Sequence, residues 1–410
     1  MSRPLGGTAS TDPFFEVIQG GEWNACVGPQ GDEVNYIDGY MEAAIELASA
    51  VIDKKLYASR DTLAMPILYN GRHALELSLK FAINELHRAD ALDARHKPDH
   101  DILSHWKHLR DSQVGDTMIR TLVEELKPFV TSLSNIDDDG QELRYPETQT
   151  GKTSLETVPL VNLQHILKSL KEMRGILMRL KGRVEEFKDE CLTGTYTREC
   201  SRRDLRTIAA TLGAHETWRE QSFSDKKAAI REQFRLTSNK FSQAVNKIKE
   251  SRELGALVGR EQPLHHLGDE KAVAVLKLWT AANPLRQEDP KDLGMDYFNR
   301  DPEERGEHWK TDDELNNAVR ALLTSDELAD LETLFDIGRV PRHGENYDLV
   351  LKHMKGNQFP SQVPNVNQIL SKSSLLENVI RGARLVGRPS LAVQLRAIRP
   401  IAESGDAALP

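Results

Sequence analysis

Three cysteines in 410 residues, Cys26, Cys191 and Cys200, are too few and too scattered for a disulfide framework or a zinc knuckle. No run of 18 apolar residues occurs, which argues against a membrane span. The opening MSRPLGGTASTDPFF lacks the apolar core of a signal peptide, so a reducing cytoplasm is the expected location. Positive charge is also short. Lys and Arg number 54 against 63 Asp and Glu, a net charge of −9 that argues against wholesale attraction to nucleic acid. Alternating β-branched or aromatic runs are hard to find, so strands are not expected. Walker A, G-x-G-x-x-G, G-x-S-x-G and H-E-x-x-H sequences are missing, and the enzyme classes built on them are set aside. No internal repeat of fixed period appears, which disfavours a solenoid. No cofactor and no metal site is implied.

What is there is helical periodicity. Hydrophobic content of 39% supplies real cores, and 29% charge fits a globular chain. The length suits two or three domains. Residues 1–35 are rich in Gly, Pro, Asp and Asn and read as an irregular lead-in, with Phe14, Phe15 and Trp23 docking part of it on the body. A first helix runs from about Asn35 to Lys54, with Tyr40, Ala44, Leu47 and Val51 on one face. Another covers 115–134, bent or ended by Pro128, and a long one follows Pro159 to about Cys191. The polar stretch 136–154 between them is a loop.

The densest stretch lies between Leu63 and Leu109. Leu75, Leu79, Ala82 and Leu86 form one apolar stripe of a helix, and Leu77 and Phe81 a second, so this helix is covered on two sides. Arg72, Glu76 and Lys80 fall at i, i+4 and i+8 between the stripes. Arg and Lys recognise phosphate, and Glu would orient them; the plain alternative is a solvated face of i, i+4 charge pairs. A second short helix places Leu103, Trp106 and Leu109 inward. Its Asp101, His105 and His108 have the spacing of metal ligands, a pattern that exposed helix faces often produce, and Asp101 reads better as an acid at a helix start.

The order A-x-E-x-x-L-K at Ala74, Glu76, Leu79 and Lys80, followed by His100-Asp101-Ile102, resembles the core pattern of HEPN domains. Asp139-Gly140, Arg144-Tyr145-Pro146 and the helix after Pro159 are also similar to members of that superfamily, over roughly residues 36–190. The resemblance implies a helical bundle of the kind found in prokaryotic toxin–antitoxin and phage-defence proteins, often a metal-independent ribonuclease. Its catalytic signature is an Arg and a His separated by four to six residues, near the start of a late helix of the bundle. Arg95 and His100 have that spacing, but Pro98 stands between them and they come early in the bundle, unlike the family pattern. Arg260 and His265 have it too, outside the matching stretch and interrupted by Pro263. Such a pair would work on the ribose 2′-OH and stabilise the phosphate. Arg144 would reach a bound phosphate.

A second unit begins near Cys200. Ser201 and Asp204 have capping-box spacing, Leu205, Ile208, Ala209 and Leu212 form a buried face, and Gly213 is a stop. Helices at 225–234 and around 241–248 follow, an arrangement compatible with a helix-turn-helix over 196–282. Between Arg198 and Arg260 there are 14 Lys and Arg against 8 Asp and Glu, a local excess of 6. Arg202, Arg203, Arg206 and Lys240 are its candidate nucleic-acid contacts. Residues 283–314 read as an acidic linker, and helices resume at 312–323, 325–336, 369–386 and 389–398, before a tail. The whole reads as an all-α protein: a HEPN-like bundle over 36–195, a basic helical segment to 282, and C-terminal helices. The expected function is binding of RNA or a nucleotide ligand, with Arg72, Glu76, Arg95 and His100 as catalytic candidates and Lys80 and Arg144 as binding ones. A non-catalytic module that pairs with a protein partner or a second copy competes with it, as does a DNA-binding regulator using 201–255.

Overall fold

The computed structural model describes residues 14–399 apart from 16, 29–30, 148–150, 152, 157, 284–312 and 358–365. The expected linker at 283–314 and the C-terminal tail therefore lie almost wholly outside the described residues. The fold is all-α: no strand occurs among the described residues, and Glu147 with Thr153 forms an isolated antiparallel bridge. No described helix is long and apolar enough to cross a membrane. The chain divides into two units. The first holds residues 1–87, 93–112 and 122–182, and the second 88–92, 113–121 and 183–410.

In the first unit α1 (Glu33–Asp53) starts where the Asp32 carboxylate accepts the backbone N–H of Asn35 at 2.9 Å. It buries Ile37, Met41, Ala44, Ala48 and Val51. That face is rotated from the expected one, because Tyr40 and Leu47 are only half-buried. Helix α2 (Arg60–Arg88) buries the Leu75, Leu79, Ala82, Leu86 stripe and also Phe81, so it is covered on two sides. Helix α3 (Ile102–Asp111) anchors itself through Trp106, whose indole N–H donates to the Val123 carbonyl at 2.6 Å. The expected 115–134 helix is two, α4 (Thr117–Glu125) and α5 (Lys127–Ile136). Pro128 sits in the first turn of α5, where its missing N–H costs nothing. Helix α6 (Leu163–Leu192) starts beyond Pro159, at an Asn162 cap that accepts the His165 N–H at 3.1 Å. Phe14, Phe15 and Trp23 correct the lead-in reading. They stay 82–94% exposed, because a Gly- and Pro-rich stretch has no helical repeat to align them on a core.

The second unit has two cores. Helices α7 (Arg202–Leu212), α8 (Gln221–Gln233), α9 (Ser238–Glu250) and α10 (Arg252–Leu257) enclose Leu205, Ile208, Leu212, Phe234, Phe241 and Ile248. The Ser201 hydroxyl caps α7 by accepting the Asp204 N–H at 3.1 Å, and Gly213 closes it at φ +69°. Only half of the expected capping box forms, since the Asp204 carboxylate accepts from the N–H and hydroxyl of Thr117 instead. The other core gathers α11 (Asp269–Ala282), α12 (313–322), α13 (Ser325–Arg339), α14 (Tyr347–Asn357), α15 (Asn367–Leu370), α16 (Leu375–Leu385) and α17 (Pro389–Arg396) around Trp279 and Tyr347. Gly338 of α13 and Gly382 of α16 let those two helices touch backbone to backbone. A Cβ on either would collide with a carbonyl of the other helix, that of Asn378 or of Leu334.

Candidate functional site

The i, i+4, i+8 charge row on α2 is mostly interior. Arg72 and Glu76 are 1% and 2% exposed. The Arg72 guanidinium donates through Nη1 to Glu76 Oε2 at 3.0 Å and through Nε to the Asp137 carbonyl at 2.9 Å. Its Nη2 reaches the carbonyls of His100 at 2.8 Å and Asp138 at 3.1 Å. One side chain thus ties the loop after α5 and the residue before the α3 cap to the middle of α2. Gly140 closes the loop over it with φ +81°, and a Cβ there would stand 3.1 Å from Arg72 Nη1. The Asp137 carboxylate lies 3.6 Å from Arg72 Nε and accepts the Glu142 N–H at 3.2 Å. This geometry assigns Arg72 to positioning, not to contact with a ligand.

Glu76 faces outward with its other oxygen. Oε1 accepts from Lys80 Nζ at 2.7 Å and lies 2.9 Å from His100 Nδ1. Burial pushes the Glu76 carboxyl up, but hydrogen bonds from Lys80 and His100 outweigh it and hold the group below its ordinary value. A buried carboxylate therefore orients a half-buried lysine and a histidine side chain that is 61% exposed. A histidine steered by a carboxylate and standing beside a cation is an arrangement suited to proton transfer next to a phosphate.

Alongside runs an aromatic and cationic row. Tyr69, His73, Glu76 and Lys80 are spaced four, three and four residues apart, hence on one helix face. The His73 ring stacks on Tyr69 at 5.7 Å and 8° and meets Tyr40 edge-on at 4.4 Å. Burial lowers the His73 pKa, against the pull of the Glu76 charge, so the ring is neutral at pH 7. Arg144 lies 5.6 Å over Tyr69 and 5.6 Å over Tyr145, with Nε donating to the Gly140 carbonyl at 2.5 Å. Tyr145 is 53% exposed.

No family model, curated protein or solved structure matches the chain.

The remaining sequence candidates are scattered. Arg95 is exposed on the loop before α3. Asp101 is the α3 cap, accepting the Ser104 N–H at 2.9 Å, as a helix-start acid should. His105 is buried and His108 bonds the Ala94 carbonyl at 3.0 Å, so the i, i+4, i+7 trio does not converge. His265 pairs with Asp348 at 2.7 Å, and Arg260 is exposed. In the basic segment Arg202 is 3% exposed and held between Glu253 and Glu345. Arg206 meets Glu253 at 3.2 Å, Lys240 meets Glu199 at 2.6 Å, and Arg203 approaches Glu186 at 3.9 Å. These four candidate cations thus face carboxylates, Glu199 and Glu253 from within the basic stretch and Glu186 and Glu345 from outside it. Tyr69, Tyr145 and the anchoring carbonyls of Asp137 and Asp138 were missed. The four–three–four spacing from Tyr69 to Lys80 was the available sign. Burial also pushes the Cys200 thiol up to about 12 and that of Cys191 up to about 11, which removes both as thiolate nucleophiles.

Proposed function

We propose that the first unit binds RNA or another nucleotide-containing ligand on the face made by Tyr69, His73, Lys80, His100, Arg144 and Tyr145. The observation that carries this reading is the buried Glu76 carboxylate holding Lys80 and His100 beside a row of stacked aromatic rings and a cation. Unpaired bases stack on aromatic side chains, and Lys and Arg take the phosphates. His100, steered through Nδ1, is the group that would move the proton of a ribose 2′-OH, with Lys80 countering charge on the phosphate. The reading is a ribonuclease of the defence or toxin type that the HEPN-like pattern implies, with the polar centre taking the place of the usual Arg–His pair. A DNA-binding reading of 201–255 has less support, because Arg202, Arg206 and Lys240 already face carboxylates.

The test is cleavage of end-labelled single-stranded RNA by wild type, His100→Ala, Arg95→Ala and Arg260→Ala, with folding checked by circular dichroism. Cleavage abolished by His100→Ala and kept by Arg260→Ala supports the reading. Cleavage lost with Arg260→Ala and kept by His100→Ala moves the chemistry to the second unit and overturns it.

A further inference from the structure

The loop between α2 and α3 folds back along the first turns of α3 and assembles a cluster that the candidate RNA face does not use. His96, Asp99 and His105 each offer one ligand atom, and these atoms lie within 4.8 Å of one another. His105 Nδ1 is 3.4 Å from an Asp99 carboxylate oxygen. His105 is 1% exposed, and neither of its ring nitrogens has a hydrogen-bond partner among the described residues. A buried imidazole whose Nδ1 has only the long Asp99 contact and whose Nε2 has none is costly and calls for a further partner. The ring of His96 is 4.5 Å from that of His105, centroid to centroid.

His96 is prepared in a second way. Its Nδ1 lies 3.0 Å from the Lys97 carbonyl, which can only accept, so Nδ1 carries the proton and Nε2 keeps its lone pair. Nε2 is 2.8 Å from the Ser104 hydroxyl, a donor that an ion would displace. Metal-bound histidines commonly donate the other ring N–H to a backbone carbonyl in this manner, which fixes tautomer and ring orientation.

We propose that His96, Asp99 and His105 form a binding site for a divalent transition-metal ion of the Zn²⁺ class, completed by water. Two imidazoles and one carboxylate favour Zn²⁺ and its first-row neighbours over Mg²⁺ or Ca²⁺, which prefer all-oxygen sites. Bonds of 2.0–2.1 Å to a tetrahedral ion place ligand atoms about 3.3 Å apart. The Asp99–His105 contact is already near that separation, so only His96 has to draw in. The bound ion fixes the loop to α3 immediately before His100.

Equilibrium dialysis of the chelator-treated full chain against Zn²⁺ alone, without RNA, tests the site apart from any reading of the RNA face. The expected result is one equivalent per chain and a raised melting temperature. Asp99→Asn and His96→Gln, both on the exposed side of the cluster, are expected to weaken binding at least about tenfold while circular dichroism stays unchanged. Co²⁺ would give visible absorption bands in wild type that both variants lose, and His165→Ala, an exposed histidine of α6, would keep them. His105→Ala is read only through its bands beside a folded spectrum. Zn²⁺ bound below about a tenth of an equivalent, or bound equally by wild type, Asp99→Asn and His96→Gln, overturns the assignment.

Discussion

Arg72 and Glu76, one turn apart on α2 and both almost wholly buried, form a 3.0 Å ion pair from which the polar centre of the first unit is built. The pair is fixed on every side: Arg72 by three backbone carbonyls, Glu76 by Lys80 and His100. Removing one member of such a pair strands the other in a medium that cannot solvate it.

Arg72→Ala is therefore expected to destabilise the chain by roughly 3–5 kcal/mol, measured by urea unfolding. Arg72→Lys should recover little of this, because an ammonium cannot reach four acceptors from one planar fork. A loss under about 1 kcal/mol would mean that the guanidinium is not the staple described.

Gly140 offers a milder probe of the same centre. Its φ of +81° disfavours any side chain, and a Cβ would crowd Arg72 Nη1. Gly140→Ala should cost about 1–2 kcal/mol and shift the melting temperature in the same direction as Arg72→Ala. An unchanged melt would show that the loop relaxes away from the guanidinium.

Much of this is legible in the sequence. The all-α class, the two-sided α2, the Asp101 cap and the breaks at Pro128 and Pro389 follow from periodicity, local hydrogen bonding and the missing proline N–H. The row of Arg72, Glu76 and Lys80 was visible, but its burial was not. Spacing alone does not say that carbonyls from Asp137 and Asp138, 65 and 66 residues away, close over Arg72. The basic segment misled in the opposite direction. A charge count sees Arg202 but not Glu345, which reaches it from 143 residues further on. Partners that arrive through tertiary packing carry no local pattern.

Asp204 sets a pH dependence in the second unit. Burial, and then the nearby Asp116 charge, raise its carboxyl from 3.8 to about 6. The folded state thus holds this proton more tightly than the unfolded chain does. Its contribution to stability is complete below about pH 4 and is lost as pH rises through about 6, by roughly 3 kcal/mol in all. The stability difference between wild type and Asp204→Asn should accordingly change over pH 4–6 and be flat above it. A difference that does not vary with pH would place the Asp204 carboxyl at its ordinary value.

Gly382→Val should disrupt the α13–α16 crossing and cost the second unit more than about 2 kcal/mol, because the added carbons meet the Leu334 backbone. Stepwise urea unfolding followed by near-UV circular dichroism would report it, and near-wild-type stability would mean that the two helices separate freely.

The thiols give a simple check on burial. Exposed Cys26 should react at once with a thiol reagent at pH 7.5, while buried Cys200 reacts only on unfolding. Prompt labelling of Cys200 in the native state would contradict the packing of α7.

The most direct measurement is fluorescence anisotropy of a labelled single-stranded RNA titrated with wild type and with the double variant Lys80→Ala/Arg144→Ala, at low and at moderate salt. The aromatic and cationic face predicts binding by wild type that weakens with salt and falls at least about tenfold in the variant, with circular dichroism unchanged. Equal binding by the two proteins, or none by wild type at low salt, would contradict it.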